Sequence, residues 1–459
     1  MKYTIIGAGP AGLTAGLLLS EKSQSVEIYE QESQVGGLAK TVKYKGNRFD
    51  IGGHRFFAKD PEIDLFWSKI LGRNLIWVNR LSQIYYQGQF LKYPLEPLDA
   101  LKKLGFWQST PAVLAYLKVH FAPIKPEKNL EDVYINSFGR VLYQKFFGTY
   151  SQRLWGIPPT RMEPDWGRAR VGKLSLLSAI KDAFFPKAVR VKSLIKKFRY
   201  PKLGPGQMWE EVARRIKKKG GQVYLGSPVT QVFYQRQRVM ALKTGRKRTA
   251  VRQLISTMPM KDLIKSFSPL PPAKVLAAAQ GLRYRDFILV ALIINKKRVF
   301  PGQWIYIQDP GFKCLRVQNI NNWSQTMVAD KNKTVIGVEY TTGEGDAFWR
   351  KKDSELINLA KEEVIRLGFA GPQEIMDAKV VRSPKAYPVY DLGYRKKVAI
   401  LRNYLAQFSN LTLIGRNGTH KYNNMDHSIL MAMQAVENFF GAKYDLWQIN
   451  TEEEYLERK

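Results

Sequence analysis

The chain has 459 residues, 45% hydrophobic and 12% aromatic, enough for a large core shared among two or three domains. Lys and Arg number 73 against 39 Asp and Glu, and the resulting charge of +34 draws anions: nucleotides, nucleic acid or anionic lipid. The single cysteine, Cys314, excludes an internal disulfide, the four histidines show no zinc cluster, and no apolar run reaches the roughly 18–20 residues of a membrane span.

The first strand begins within a few residues of Met1, which leaves no room for a signal peptide, so a cytoplasmic location is expected. "YTIIGAGPAGLTAGLLL" reads as a β-branched strand, a glycine turn and an apolar helix. Gly7, Gly9 and Gly12 form G-x-G-x-x-G. The first glycine permits the turn, the second lets the backbone approach a pyrophosphate, and the third lets the helix pack on the strand. "SVEIYEQ" is the next strand and places Glu30 where a dinucleotide ribose needs an acid. A carboxylate there disfavours a 2′-phosphate, so tightly bound NADP is not expected at this site.

Residues 1–90 continue as alternating strand and helix, and 91–202 read as helical, with loops at Pro158-Pro159, Pro164 and Pro186. Residues 203–260 return as helix, strand, strand. From 261 to 394, "FILVALIIN", "QWIYIQ" and "TVIGVEY" suggest an antiparallel sheet. Residues 395–459 hold the strand "LTLIG" and then "GRNGTHKYNNMDHSILMAM", a turn leading into an apolar helix. The expected architecture is α/β. A discontinuous Rossmann-like dinucleotide domain (1–90, 203–260 and 395–459) is interleaved with a helical domain (91–202) and a sheet domain (261–394). No second G-x-G-x-x-G occurs, so no separate nicotinamide domain is expected. Basic stretches between Lys181 and Arg252 read first as solvated faces, with peripheral contact to the anionic inner face of a membrane as the alternative. Nucleic acid is not expected, because no nucleic-acid motif accompanies the charge.

Gly36-Gly37 after the acidic strand end, followed by "FDIGGHRFF", resembles the flavoprotein group of amine oxidases and phytoene desaturases. That resemblance implies FAD in a glutathione-reductase-type domain, and "RQLISTMP" resembles the strand and loop returning to it. Four further stretches narrow the family: "YSQRLWGIPPTRMEPDWGRARV", "QWIYIQDPGFKCLRVQNINNWS", "SPKAYPVY" and "GTHKYNNMDHSILMAMQAVEN". With "FDIGGHRFF" and "YPLEP" they resemble the UDP-galactopyranose mutases, more the eukaryotic type than the short bacterial one.

The resemblance implies pyranose–furanose interconversion of a nucleotide sugar without net redox, N5 of reduced FAD attacking the anomeric carbon. It makes Arg170 and Arg316 the clamp on the diphosphate. It places His54 beside flavin N5, and Tyr93, Tyr150, Trp155, Tyr306, Tyr387, Tyr422 and Asn424 around the substrate. Cofactor contacts are expected from Gly7, Gly9, Gly12, Glu30, Gly37, Gly52, Gly53, Val229, Arg416, Met425 and Asp426. Gly52 and Gly53 would let the backbone approach the isoalloxazine. The helix beginning near Asp426 would aim its amides at the flavin pyrimidine ring. NAD(P)H, as an external reductant, would have to enter the substrate cleft. His420 and His427 read as structural.

Each residue also has an ordinary alternative: a solvated arginine, a core tyrosine, a histidine capping a turn. Leu95 and Glu96 follow Tyr93-Pro94 where the family carries an aromatic and an amide, which leaves the base and the sugar open. Two other functions stay in view. One is an oxidase or desaturase of the same fold, and the other a non-catalytic basic module that binds membrane or nucleic acid.

Overall fold

The strand Lys2–Ile6 is apolar on both sides because it becomes the middle of a five-stranded parallel sheet, ordered 411–413, 253–256, 2–6, 25–29, 222–224. The computed structural model describes residues 1–93, 106–171 and 196–450, without the side chains of 106–109 and 169–171. Helices Pro10–Glu21, Gly206–Lys218 and Met425–Asn438 cover this sheet, and their Leu13, Leu17, Trp209, Val212, Ile429 and Ala432 join Ile5 and Ile28 in one core. Three distant stretches of sequence therefore build one dinucleotide-type layer.

A seven-stranded sheet forms the second layer, in the order 375–388, 284–294, 334–343, 316–319, 304–307, 82–86, 89–92. Its strand Tyr284–Ile294 is buried at every position. Ile288, Val290, Leu292 and Ile294 face the helix Asp353–Arg366, while Phe287, Leu289, Ala291 and Ile293 face the opposite cluster with Trp304 and Trp323. Both faces of the pleat are covered, which is why this strand shows an unbroken apolar run.

The strands differ from the expected layout in two ways. Residues 82–92, divided at 90 by the sequence reading, hydrogen-bond into this second sheet, and the strand Ser82–Tyr86 runs parallel to Trp304–Ile307. The sheet is therefore mixed, with every other pair antiparallel. The strand Lys197–Pro201, placed among the helices, instead pairs with Leu75–Asn79. Pairing between segments this far apart leaves no mark on local periodicity.

The helical segments Phe106–Phe121 and Leu130–Leu142 pack on each other, and Thr149–Trp155 is tied to the sheet by two largely buried arginines. Arg153 donates to the carbonyls of Ile307 and Phe312, and Arg285 donates to those of Leu154 and Arg153. Burial pulls Arg285 down to about 10. Gly156 has φ +70°, and a Cβ there would sit 2.2 Å from the Arg285 guanidinium, so the glycine gives the arginine its place. No helix among the described residues is long and apolar enough to cross a membrane.

Candidate functional site: two joined cavities

Two cavities lie between the layers and share Leu38, His54, Arg416, Asn424 and Met425. The first, of ≈ 530 Å³, runs from Glu30, Val229 and Thr230 past Gly7, Gly9 and Pro10 to Asn424 and Ser428. Gly7 has φ +97°, and a Cβ on it would strike Thr257 Oγ1 at 2.0 Å. On Gly12 a Cβ would meet the Gly7 carbonyl oxygen at 2.0 Å, so this glycine serves helix–strand contact and does not line the cavity. Gly36 N–H donates to the Ala8 carbonyl (2.8 Å), which lays Gly37 against Gly9. Two bare backbones thus pack together on the cavity wall. Glu30 is buried, and its carboxylate accepts from the amides of Ala8 (2.6 Å) and Glu32 (3.0 Å). Burial raises its pKa against those bonds.

A dinucleotide fits these features. The helix Pro10–Glu21 presents its amino end at the glycine turn, and the helix Met425–Asn438 presents its own at the far end. Each carries unsatisfied amides and the positive end of a dipole. Asn424 caps the second helix, and its N–H donates to His427 Nδ1 (3.2 Å), which explains His427 as a structural residue. Asp426 is buried and lines the second cavity only, while Met425 lines both.

The second cavity, of ≈ 360 Å³, brings together Tyr93, Tyr306, Tyr387, Tyr422 and Trp304 with Arg55, Arg80, Arg316 and Arg416. Strand register organises much of it. Tyr306, Arg316 and Glu339 lie directly opposite one another on three neighbouring strands, so their side chains share a face. Arg316 donates from Nε to Glu339 Oε2 (2.7 Å), its Nη2 lies in ion-pair contact with the same oxygen (2.6 Å), and the pair is nearly sealed, with 17% and 3% of the side chains exposed. Burial works against the Arg316 charge, but Glu339 and the phenols Tyr306 and Tyr387 hold the guanidinium above its ordinary range. Nη1 has no hydrogen-bond partner among the described residues. The Trp304 ring carries Arg55 at 3.9 Å and Arg316 at 4.9 Å.

Tyr387 and Tyr422 stack at 5.5 Å with planes 8° apart, and Arg416 lies 4.8 Å from the Tyr422 ring. Arg416 also donates to the carbonyls of Asn423 (2.7 Å) and Ala386 (2.9 Å). Trp155 and Trp166 pack edge-on behind the tyrosines, so Trp155 supports the wall and does not line it. Tyr150 likewise sits behind Tyr306, at 6.4 Å, outside both cavities.

His54 lies where the cavities join. Its Nδ1 is 3.1 Å from the Gly52 carbonyl, an acceptor only, so Nδ1 carries the proton. Burial, then the charges of Arg416 and Arg316, pull its pKa down to about 4. The imidazole is therefore neutral at pH 7, and Nε2 is an acceptor with no hydrogen-bond partner among the described residues. Asp50, the acid of the Phe-Asp-x-Gly-Gly turn, anchors this loop from below. It accepts from Thr41 Oγ1 (2.8 Å) and the Tyr200 hydroxyl, and burial pushes it up to about 7.

Gly52 and Gly53 border the second cavity and are absent from the first. Gly52 needs its φ of +80°, and a Cβ on Gly53 would fall 2.4 Å from the Trp304 ring. Gly53 therefore makes room for Trp304, while a Cβ on Gly52 would lie 3.4 Å from Arg316 Nη2.

The Arg170 side chain, Leu95, Glu96 and residues 172–195 lie outside the described residues. Sequence reasoning missed Arg55, Arg80, Trp304 and Glu339. The clearest overlooked signal was Glu339, a lone carboxylate in the otherwise apolar "TVIGVEY".

The sequence model of the family described as flavin containing amine oxidoreductase matches residues 10–384. A UDP-galactopyranose mutase of Mycoplasma pneumoniae is 23% identical over 195 residues, 40% of this chain and 47% of that protein. A 4,4'-diapophytoene desaturase (4,4'-diapolycopene-forming) of Methylomonas sp. is 42% identical over 48 residues, 10% of this chain and 9% of that one. The chain thus matches less than half the length of either relative. The crystal structure of reduced UDP-galactopyranose mutase superposes with a TM-score of 0.86 at 19% identity, covering 98% of this chain and 97% of that one, a likeness of fold. The family match spans most of the chain, and the glycine-lined cavity between two helix amino ends lies within the same fold: the chain belongs to the flavin containing amine oxidoreductase family and is a flavoprotein.

Proposed function

We propose that the protein is a flavin-dependent nucleotide-sugar mutase, interconverting pyranose and furanose forms in the manner of UDP-galactopyranose mutase. The observation that carries this reading is the second cavity. It opens onto the cofactor cavity at His54 and is walled by arginines and phenols. An oxidase or desaturase acting on an amine or polyene has no use for that many guanidinium groups, whereas a diphosphate does.

The cofactor is FAD, and when bound in its reduced form it supplies the nucleophile for the anomeric carbon. The protein's own groups do the rest. Arg316, braced by Glu339, turns Nη1 to the diphosphate, and Arg170 is the second clamp by resemblance. These cations hold the departing diphosphate for return, a positioning role. Tyr306, Tyr387 and Tyr422 offer hydroxyls to the phosphates and the sugar. His54, neutral with a bare Nε2, accepts a hydrogen bond at the junction of the cavities. The amino end of the helix Met425–Asn438 favours negative charge on the ring of the reduced cofactor.

The test uses purified protein reduced anaerobically with dithionite and incubated with UDP-, GDP- and dTDP-sugars. Chromatography then separates pyranose from furanose products. A furanose product formed only by reduced protein is expected. No conversion across the panel, with oxidised protein turning over an amine or polyene with oxygen or a quinone, refutes the reading. NAD(P)H as physiological reductant is tested by its rate of flavin bleaching.

A further inference from the structure

Tyr422, on the wall of the second cavity, stands on the loop 419–424, between the short helix Gly415–Gly418 and the helix Met425–Asn438. His420 is held at φ +49°; Thr419, His420 and Lys421 N–H donate to the carbonyls of Gly415 (3.2 Å), Asn417 (3.4 Å) and Arg416 (2.9 Å), Asn423 N–H donates to the Lys421 carbonyl (2.8 Å), and the Asn423 carbonyl accepts from Arg416 Nε (2.7 Å). The two backbone groups of Tyr422 are satisfied from elsewhere. Its N–H donates to the Tyr390 hydroxyl (2.7 Å), and its carbonyl accepts from Asn450 Nδ2 (3.1 Å). The same Asn450 amide donates to Asn423 Oδ1 (3.1 Å), and Asn423 lines the first cavity. One side chain near the end of the described chain thus ties a residue of each cavity.

Lys421 completes the attachment. Its ammonium is largely withdrawn from solvent and donates to the carbonyls of Trp447 and Ile449 (2.9 Å). The segment that receives it is firmly seated. Asn438 and Tyr444 exchange side-chain and backbone bonds at 2.9 and 2.7 Å. Asp445 accepts from Trp447 N–H (2.9 Å), Arg402 lies over the Trp447 ring at 4.8 Å, and Ile449 is buried in the core beneath the parallel sheet. The seated segment thus gives the loop a second attachment beyond its own bonds to 415–417.

We infer that Asn450 and Lys421 are positioning residues: through them segment 444–450 sets Tyr422 and Asn423 at the two cavities. The inference rests on the nucleotide-sugar reading only for the substrate that Tyr422 meets. The bonds themselves do not depend on it.

The test compares Asn450→Ala, Asn450→Asp, Lys421→Met and Lys421→Arg with wild type, as flavin-loaded full chain. Asn450→Asp keeps the shape and removes the donors. The first three are expected to raise KM for the nucleotide sugar about tenfold, the scale of one or two lost hydrogen bonds, with kcat within about twofold. Hydrogen–deuterium exchange should rise in 419–424, the flavin should stay bound, and Lys421→Arg should restore wild-type values. Unchanged exchange in 419–424, an unchanged KM, or an arginine no better than methionine overturns the inference. If wild type converts no nucleotide sugar, the proposed function fails and exchange alone decides: faster exchange in 419–424 sustains the attachment, and unaltered exchange rejects it.

Discussion

Replacing Arg316 with alanine removes more than a substrate contact. The Glu339 side chain is 3% exposed, the contacts from Arg316 converge on its Oε2, and its Oε1 has no hydrogen-bond partner among the described residues. Arg316→Ala leaves that carboxylate buried and uncompensated, and breaking one side of such a pair costs about 3–5 kcal/mol. Replacing both members with neutral groups costs far less, so Arg316→Met with Glu339→Gln should recover more than half of the loss. The pH dependence follows from the stranded acid. Without arginine its folded pKa stands above the unfolded carboxylate value of about 4.3, so folding is favoured below that value and the benefit is lost as pH rises through the folded pKa. The deficit of Arg316→Ala should therefore be large at pH 7.5 and shrink toward pH 5. Guanidinium unfolding of flavin-saturated protein at both pH values measures it, and titration with the nucleotide diphosphate reports binding. Both variants should bind the diphosphate at least tenfold more weakly. An Arg316→Ala protein as stable as wild type, or a double variant no better than the single, would refute the buried-pair argument; a double variant with wild-type affinity would refute the clamp.

Three further substitutions have expected outcomes. His54→Ala should keep the flavin absorbance spectrum and lose turnover at least a hundredfold, as measured by furanose formation. Because His54 is held down at about 4 while an unfolded histidine titrates near 6.5, its contribution to stability is complete above about pH 6.5 and is lost as pH falls toward 4, a slope that His54→Ala should flatten in pH-dependent melts. Gly53→Ala drives a methyl to 2.4 Å from the Trp304 ring; it should lower stability by about 1–3 kcal/mol, and Trp304→Leu in the same chain should relieve most of that loss. Gly37→Ala, at φ +53° and 3.2 Å from the Gly9 backbone, should weaken flavin retention on gel filtration without altering affinity for the nucleotide diphosphate in protein that keeps its flavin.

The cofactor half of the site was legible because its signals are local. Gly7, Gly9 and Gly12 are spaced by the geometry of one turn and one helix, and Glu30 ends the neighbouring strand, so a short stretch of chain states the whole device. Tyr306, Arg316, Tyr387 and Tyr422 were reached through resemblance of motifs, and the structure brings all of them to one cavity.

What tertiary structure decided is what those residues touch. Glu339 lies beneath Arg316 because three strands pair in one register, and a one-residue slip would turn either side chain to the other face. Gly53 answers to Trp304 across hundreds of residues, and Asn450 answers to Tyr422 from the far end of the helix that separates them. Periodicity and spacing are properties of neighbours along the chain. Partnership between distant side chains is set by strand order and packing, so composition shows that a buried charge exists and only the assembled layers name what it pairs with.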